Sequence, residues 1–130
     1  MKFTVLFLLL FTTANAYSND IYTTIDVALD PSEVIETIDF QSMRTYDSKT
    51  LTVKLINSSD ELILRKFKVE AWGAWYDSFD NCGKVIEPLS ECLIDIELTP
   101  FENGWHTGSL RIDSDSYEVR IGLSGASGPF

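Results

Sequence analysis

The chain has 130 residues, 45 % of them hydrophobic and 12 % aromatic, which suits one packed domain and argues against disorder. Twenty acidic residues against ten basic ones leave a formal net charge of −10. A surface of that sign repels phosphate backbones and anionic lipid headgroups. Nucleic acid is therefore set aside as a partner, and solubility accounts for the acidity more simply than a cation-binding or basic-partner role.

The first sixteen residues read as an export signal. Lys2 supplies the positive start, residues 5–11 the apolar core, and Ala14-Asn15-Ala16 a small-residue cleavage site. The apolar run is shorter than a helix needs to cross a bilayer, so no stable membrane insertion is expected. No cysteine lies near the cleavage point to carry a bacterial lipid anchor; a retained membrane anchor is the rival reading. Cleavage leaves a chain starting at Tyr17, with one domain over 17–126 and a C-terminal tail over 127–130.

Ile21, Thr23, Ile25, Val27 and Leu29 alternate with Tyr22, Thr24, Asp26 and Ala28, which predicts a strand over 21–29, broken by Asp30-Pro31-Ser32. Residues 33–40 end in Ile38-Asp39-Phe40 and read as a short edge piece. A helix over 33–46 lacks a sustained 3.6-residue period. Leu51, Val53 and Leu55 share one face of a strand over 49–57, closed by the turn Asn57-Ser58-Ser59-Asp60. Over 62–71 the parity slips. Leu62 and Leu64 face one way and Phe67, Val69 and Ala71 the other, which a bulge near Arg65-Lys66 reconciles. Residues 72–79 are aromatic and read as irregular.

The most regular stretch follows. Asn81-Cys82-Gly83 is a tight turn and Glu87-Pro88-Leu89-Ser90 another. A strand then sets Cys92, Ile94, Ile96 and Leu98 on one face and Leu93, Asp95, Glu97 and Thr99 on the other, until Pro100, which has no N–H to donate. Both cysteines fall in the exported part, so a Cys82–Cys92 disulfide is the default expectation, contributing roughly 2–3 kcal/mol through loop entropy. Two lone cysteines with no nearby histidine make a poor metal site, and a redox pair would sit closer, as C-x-x-C at a helix start. Glu102-Asn103-Gly104 reads as a turn, Leu110 and Ile112 as the apolar positions of a strand over 107–113. Asp113-Ser114-Asp115-Ser116 turns the chain into a last strand carrying Tyr117, Val119, Ile121 and Leu123, after which residues from Gly125 onward read as loose. Seven to eight short strands and no convincing helix predict an all-β, immunoglobulin-like antiparallel β-sandwich with one disulfide. Leu51, Val53, Leu55, Ile94, Ile96, Leu98, Leu110, Ile112, Val119 and Ile121 are its expected inward positions.

Over residues 38–126 the chain resembles the bacterial ASH-like, or choice-of-anchor D, immunoglobulin-type domains. The resemblance rests on Asp39-Phe40, on Leu51-Thr52-Val53-Lys54-Leu55-Ile56-Asn57, on Asn81-Cys82-Gly83 and on Leu89-Ser90-Glu91-Cys92. It continues through Leu98-Thr99-Pro100-Phe101 with Gly104, Gly108-Ser109-Leu110-Arg111-Ile112 and Leu123-Ser124-Gly125. The aromatic segment 72–79 and the strand 21–29 depart from the pattern. The resemblance implies a repeat or accessory module of exported proteins, with no shared catalytic residues.

No set of residues reads as catalytic. The single histidine, His106, falls in what reads as a turn over 103–108, no serine sits in G-x-S-x-G, and no Gly-rich phosphate loop or cofactor signature is present. Asp77 with Asp80, or Asp113 with Asp115, could contribute to a calcium site, but solvated turn acids fit their spacing better. The unusual feature is aromatic: Trp72, Trp75, Tyr76 and Phe79 lie within eight residues, and Trp105 follows in a turn. Trp72 and Phe79 are expected to close the core. Trp75, Tyr76 and Trp105 are expected to be exposed and to form a partner-binding patch, with a platform for sugar rings as a narrower version. The function that follows is an exported, non-enzymatic protein-binding or assembly module of the cell envelope, periplasmic or secreted. Its partner is another exported or envelope protein, held by aromatic loops or by strand addition at a sheet edge. The alternative is a small secreted inhibitor or effector acting by loop contacts; a hydrolase ranks last.

Overall fold

In a strand, successive side chains point to opposite faces, so a clean apolar alternation marks a strand with one buried side. Cys92, Ile94, Ile96 and Leu98 meet that rule: all four are buried, while Leu93 between them is exposed. They belong to a central strand in a computed structural model that describes residues 20–129. The export signal read over 1–16 lies outside the described residues. Ten strands follow one another: β1 (Ile21–Asp26), β2 (Thr37–Arg44), β3 (Lys49–Ile56), β4 (Leu64–Arg65), β5 (Lys68–Trp72), β6 (Tyr76–Asp80), β7 (Val85–Ile86), β8 (Glu91–Leu98), β9 (Gly104–Asp113) and β10 (Glu118–Gly128). Two four-stranded sheets, ordered β1-β3-β8-β6 and β2-β10-β9-β5, form a sandwich, and β4 pairs with β7 as a short ribbon. Eight strands therefore make the sheets, and the ribbon adds two of two residues each.

The sandwich is mixed rather than wholly antiparallel. β1 runs parallel to β3, and β2 runs parallel to β10. Alternation reports which side of a strand is buried and carries no information on the direction of its neighbour. After β1 the chain crosses from one sheet to the other through a 3-10 turn over Pro31–Glu33, capped by the Asp30 carboxylate, which accepts from the Ser32 amide at 2.9 Å. Both halves of this crossing then lie on sheet edges, each beside a strand running its own way.

Three further differences have local causes. The parity slip over 62–71 is a change of partner and not a bulge in one strand. Leu64 pairs with Ile86 in the ribbon, Lys66 turns at φ 56°, and from Lys68 the chain joins β9 in the second sheet. Residues 72–79 are not wholly irregular, because Tyr76–Asp80 form the edge strand β6 on β8. The expected loose tail is strand as far as Gly128, with Ser127 buried. Gly125 shows why small residues end this strand. A Cβ there would lie 2.7 Å from Leu98 Cδ2 and 3.1 Å from Phe40 Cβ, so a larger residue would force Leu98 to shift.

The core fills the space between the sheets with Ile38, Phe40, Val53, Leu55, Ile94, Ile96, Leu98, Leu110, Ile112, Ile121 and Leu123. Leu51 and Val119 pack against it from partly buried positions. Cys82 and Cys92 are bonded, with Cα atoms 5.0 Å apart, which ties the loop after edge strand β6 to the start of β8. The Asn81 side chain and backbone pair with Leu93 beside that bond. Among the described residues no helix is long and apolar enough to cross a membrane.

Candidate binding surface at the aromatic end

The two ends of the sandwich differ in chemistry. At one end β2, β8 and β10 finish and β3, β6 and β9 begin, so the connections over 45–48, 73–75 and 99–103 meet there. Hydrogen bonds lock these connections together. The Tyr46 amide donates to the Pro100 carbonyl at 2.8 Å, the Thr45 amide to the Gly128 carbonyl at 2.9 Å, and the Thr99 amide to the Trp75 carbonyl at 3.0 Å. The Thr45 hydroxyl donates to Asn103 Oδ1 at 2.6 Å.

Three rings lie in a row over this end. Trp75 and Phe101 have centroids 5.2 Å apart, and Phe101 and Tyr46 5.7 Å. Tyr46 is 72 % exposed and Phe101 52 %, while Trp75 is half-buried beneath them. Tyr46 and Trp75 both adopt φ 75°, the left-handed region that bulky side chains avoid at a cost of roughly 1–3 kcal/mol each. Beside Tyr46 and Phe101 opens a cleft of about 660 Å³, lined by residues 44–46, residues 101–103 and Pro129.

Two more indoles lie on the outer face of the second sheet. Trp105 is 68 % exposed and stands opposite Ala126; Trp72 is 58 % exposed and stands opposite Ser109. The floor around them is small, with Thr107 opposite Ser124 and Ser109 opposite Gly122. Further along the same face Arg111 pairs with Asp113 and Glu118, and Arg120 with Glu118, at 3.4–3.7 Å. The charged half of this face is thus internally paired, while the aromatic half has two large exposed rings.

Of the aromatic residues singled out from the sequence, Trp75 and Trp105 come to the same end. Of the three expected to be exposed, Trp105 is exposed, Trp75 is half-buried and Tyr76 is buried. It is 8 % exposed, packs edge-to-face on Phe40 with centroids 5.6 Å apart, and donates its hydroxyl to the His106 carbonyl at 2.9 Å. Burial, reinforced by the Asp39 carboxylate, pushes its phenol up to about 12. Trp72 and Phe79, expected to close the core, are both exposed. Each takes the outward parity of its strand: Val69 and Ala71 point in and leave Trp72 out, while Tyr76 and Ser78 point in and leave Phe79 out. Tyr46 and Phe101 were not singled out, although an aromatic inside a polar connection was the available signal.

The backbone crossing at this end demands glycine. Gly73 has φ 123°, and a Cβ at Gly108 would lie 2.2 Å from the Trp72 carbonyl oxygen. Those two residues let the link between β5 and β6 pass against β9 and carry Trp72 and Trp75 to their places.

His106 and Trp105 are strand residues and not part of a turn. His106 Nε2 lies 2.8 Å from Ser127 Oγ and 3.1 Å from the Glu102 carbonyl. Ser127 donates its only proton to that same carbonyl at 2.7 Å, so the ring nitrogen is the donor to the hydroxyl. This Ser–His contact fastens the 99–103 connection to β10. The acidic residues weighed for calcium serve the backbone or an ion pair. Asp80 accepts from the Cys82 amide, Asp115 from the Arg65 amide, and Asp113 pairs with Arg111. Among the described residues no three His, Cys, Asp or Glu side chains converge on one point.

No protein-family model matches the chain, and no curated protein matches it. Solved structures do. The secreted serine protease VesC from Vibrio cholerae matches 68 % of this chain at a TM-score of 0.54 and 15 % identity. A family 123 glycoside hydrolase from Clostridium perfringens matches 73 % at 0.57 and 11 % identity. The chain spans only 21 % and 23 % of those two proteins. It spans 84 % of the ASH / PapD-like domain 7 of human CEP192, which covers 75 % of this chain at a TM-score of 0.53 and 11 % identity. The likeness is one of fold. The structure is an immunoglobulin-like β-sandwich of the kind seen in an ASH / PapD-like domain, and identities this low carry no activity across.

Proposed function

We propose that the chain is an exported, non-enzymatic binding module, of the choice-of-anchor D type, that holds another exported or envelope protein at its aromatic end. The observation that carries this reading is the Trp75–Phe101–Tyr46 row. Trp75 and Tyr46 hold strained backbone conformations, and the Phe101 and Tyr46 rings remain in solvent. Large aromatic side chains left exposed at a well-anchored loop cluster are the usual anchors of protein interfaces. Trp105 and Trp72 extend the surface onto the adjoining sheet face. The disulfide supports an oxidising compartment, periplasmic or extracellular.

The test compares capture of envelope proteins by the native chain and by a Tyr46→Ala, Phe101→Ala, Trp105→Ala variant, each confirmed as folded by circular dichroism. Truncating anchors of this kind costs 2 kcal/mol or more, roughly a thirtyfold loss of affinity. A folded variant that captures the same protein at native affinity would remove the aromatic end from consideration.

A further inference from the structure

The charge around the rings is as uneven as the charge of the chain. Asp47 follows Tyr46 and Glu102 follows Phe101, both exposed. Asp77 stands directly across from Glu97 where β6 begins and β8 ends, a like-charge pair that weakens the ladder. Among the described residues the cations at this end are Arg44 and Lys49. Lys49 donates to the Phe40 carbonyl at 2.7 Å, and Arg44 is engaged within the chain. At this end the exposed Tyr46 and Phe101 rings are each followed by a carboxylate, with Arg44, already engaged within the chain, on the wall of the same cleft. Elsewhere some exposed acids have cationic partners, as Glu91 has Lys54 at 3.3 Å and Glu118 has two arginines, while others such as Asp60 and Glu61 face solvent.

Resting on the reading of this end as a protein-binding surface, we propose that its occupant is a basic peptide segment, with an arginine or lysine side chain laid over the Tyr46–Phe101 rings and its charge met by Asp47 and Glu102. Electron-rich ring faces attract such cations, and the attraction grows as the site is desolvated. The carboxylates steer the segment in and reject acidic competitors. The cleft beside Tyr46 and Phe101 receives the aliphatic stem of the side chain, because long cationic side chains bury their methylenes while the head stays charged. The net charge of −10 then serves recognition as well as solubility.

The experiment selects binders from a displayed library of random dodecapeptides against three folded proteins: the native chain, a Tyr46→Ala, Phe101→Ala variant, and an Asp47→Asn, Glu102→Gln variant. Peptides retained by the native chain and lost on the aromatic variant are the informative set. Enrichment of arginine and lysine in that set, with about tenfold weaker binding to the carboxylate variant at low salt and a smaller difference at high salt, is the expected result. Replacing the key arginine of such a peptide by citrulline should weaken it by between about two- and thirtyfold. Ring-dependent peptides without an excess of basic residues overturn the inference and leave the binding surface standing. Peptides that bind the aromatic variant as well as the native chain overturn both.

Discussion

Ile96 is the position at which the register of the whole sandwich can be tested most sharply. It is fully buried at the middle of β8, opposite Leu51 on β3 and Ser78 on β6, and it faces the second sheet. Replacing it by alanine removes three carbons, about 2.4 kcal/mol of transfer free energy at ~0.8 kcal/mol per methylene. Its neighbours are strands of two sheets held by ladders and cannot collapse far into the space, so a cavity term adds to this. The expected loss is about 3–4 kcal/mol, inside the range of roughly 2–5 for such truncations. Thr107→Ala, an outward position on β9, provides the control and should change stability by about 0.5 kcal/mol or less. Urea unfolding followed by far-UV circular dichroism measures both, with equal slopes confirming that the same surface is exposed. If Ile96→Ala costs no more than Thr107→Ala, β8 is out of register by one residue, and the inward assignment of the sheet fails with it.

Other outcomes follow from single contacts. Gly108→Ala should abolish folding or lower stability by several kcal/mol, measured by the same unfolding assay, because its Cβ would stand 2.2 Å from the backbone oxygen of Trp72 and neither strand can withdraw. Reducing the Cys82–Cys92 bond, or replacing both cysteines by serine, should cost about 3 kcal/mol through the short loop it closes, read as a lower urea midpoint. Tyr76 gives a pH signature. Its folded pKa of about 12 exceeds the ordinary value of 10.0, so its contribution is intact below pH 10 and is lost as pH rises from 10 toward 12 while the unfolded chain ionises first. Tyr76→Phe should therefore be less stable at neutral pH, by about 1 kcal/mol for the lost bond to the His106 carbonyl, and should show a shallower alkaline decline.

What could be read from the sequence divides along physical lines. β3 and β8 were legible because Leu51, Val53 and Leu55, and then Cys92, Ile94, Ile96 and Leu98, recur at every second position. The direction of pairing was not, since β1 beside β3 and β2 beside β10 would show the same alternation running either way. β6 escaped because its inward positions are Tyr76, Ser78 and Asp80, an edge strand whose burial has no hydrophobic period. The end of β10 looked loose because small residues are needed where Phe40 and Leu98 crowd the backbone. The candidate surface was legible in part. Trp75 and Trp105 do lie at one end, but of the two only Trp105 is exposed, and Trp75 packs half-buried against the core. Trp72 is exposed against expectation because the inward parity of Val69 and Ala71 points it outward. Tyr76 was placed in solvent because the left-handed turn at Trp75, which resets the parity, leaves no mark in composition. Tyr46 and Phe101 meet only through a long-range backbone bond, between Tyr46 and Pro100, that no local pattern encodes.

The central claim is that the partner is held at the end bearing Tyr46, Phe101 and Trp105. Site-specific photo-crosslinking tests it most directly, with benzoylphenylalanine placed at Phe101 or Tyr46 in one pair of chains and at Ser59 or Asp115, beyond the opposite ends of the strands, in another. Each chain is irradiated in intact cells and in their culture medium. The account predicts a covalent adduct of one size from positions 46 and 101 and none from positions 59 and 115. Adducts from the far end alone would contradict it.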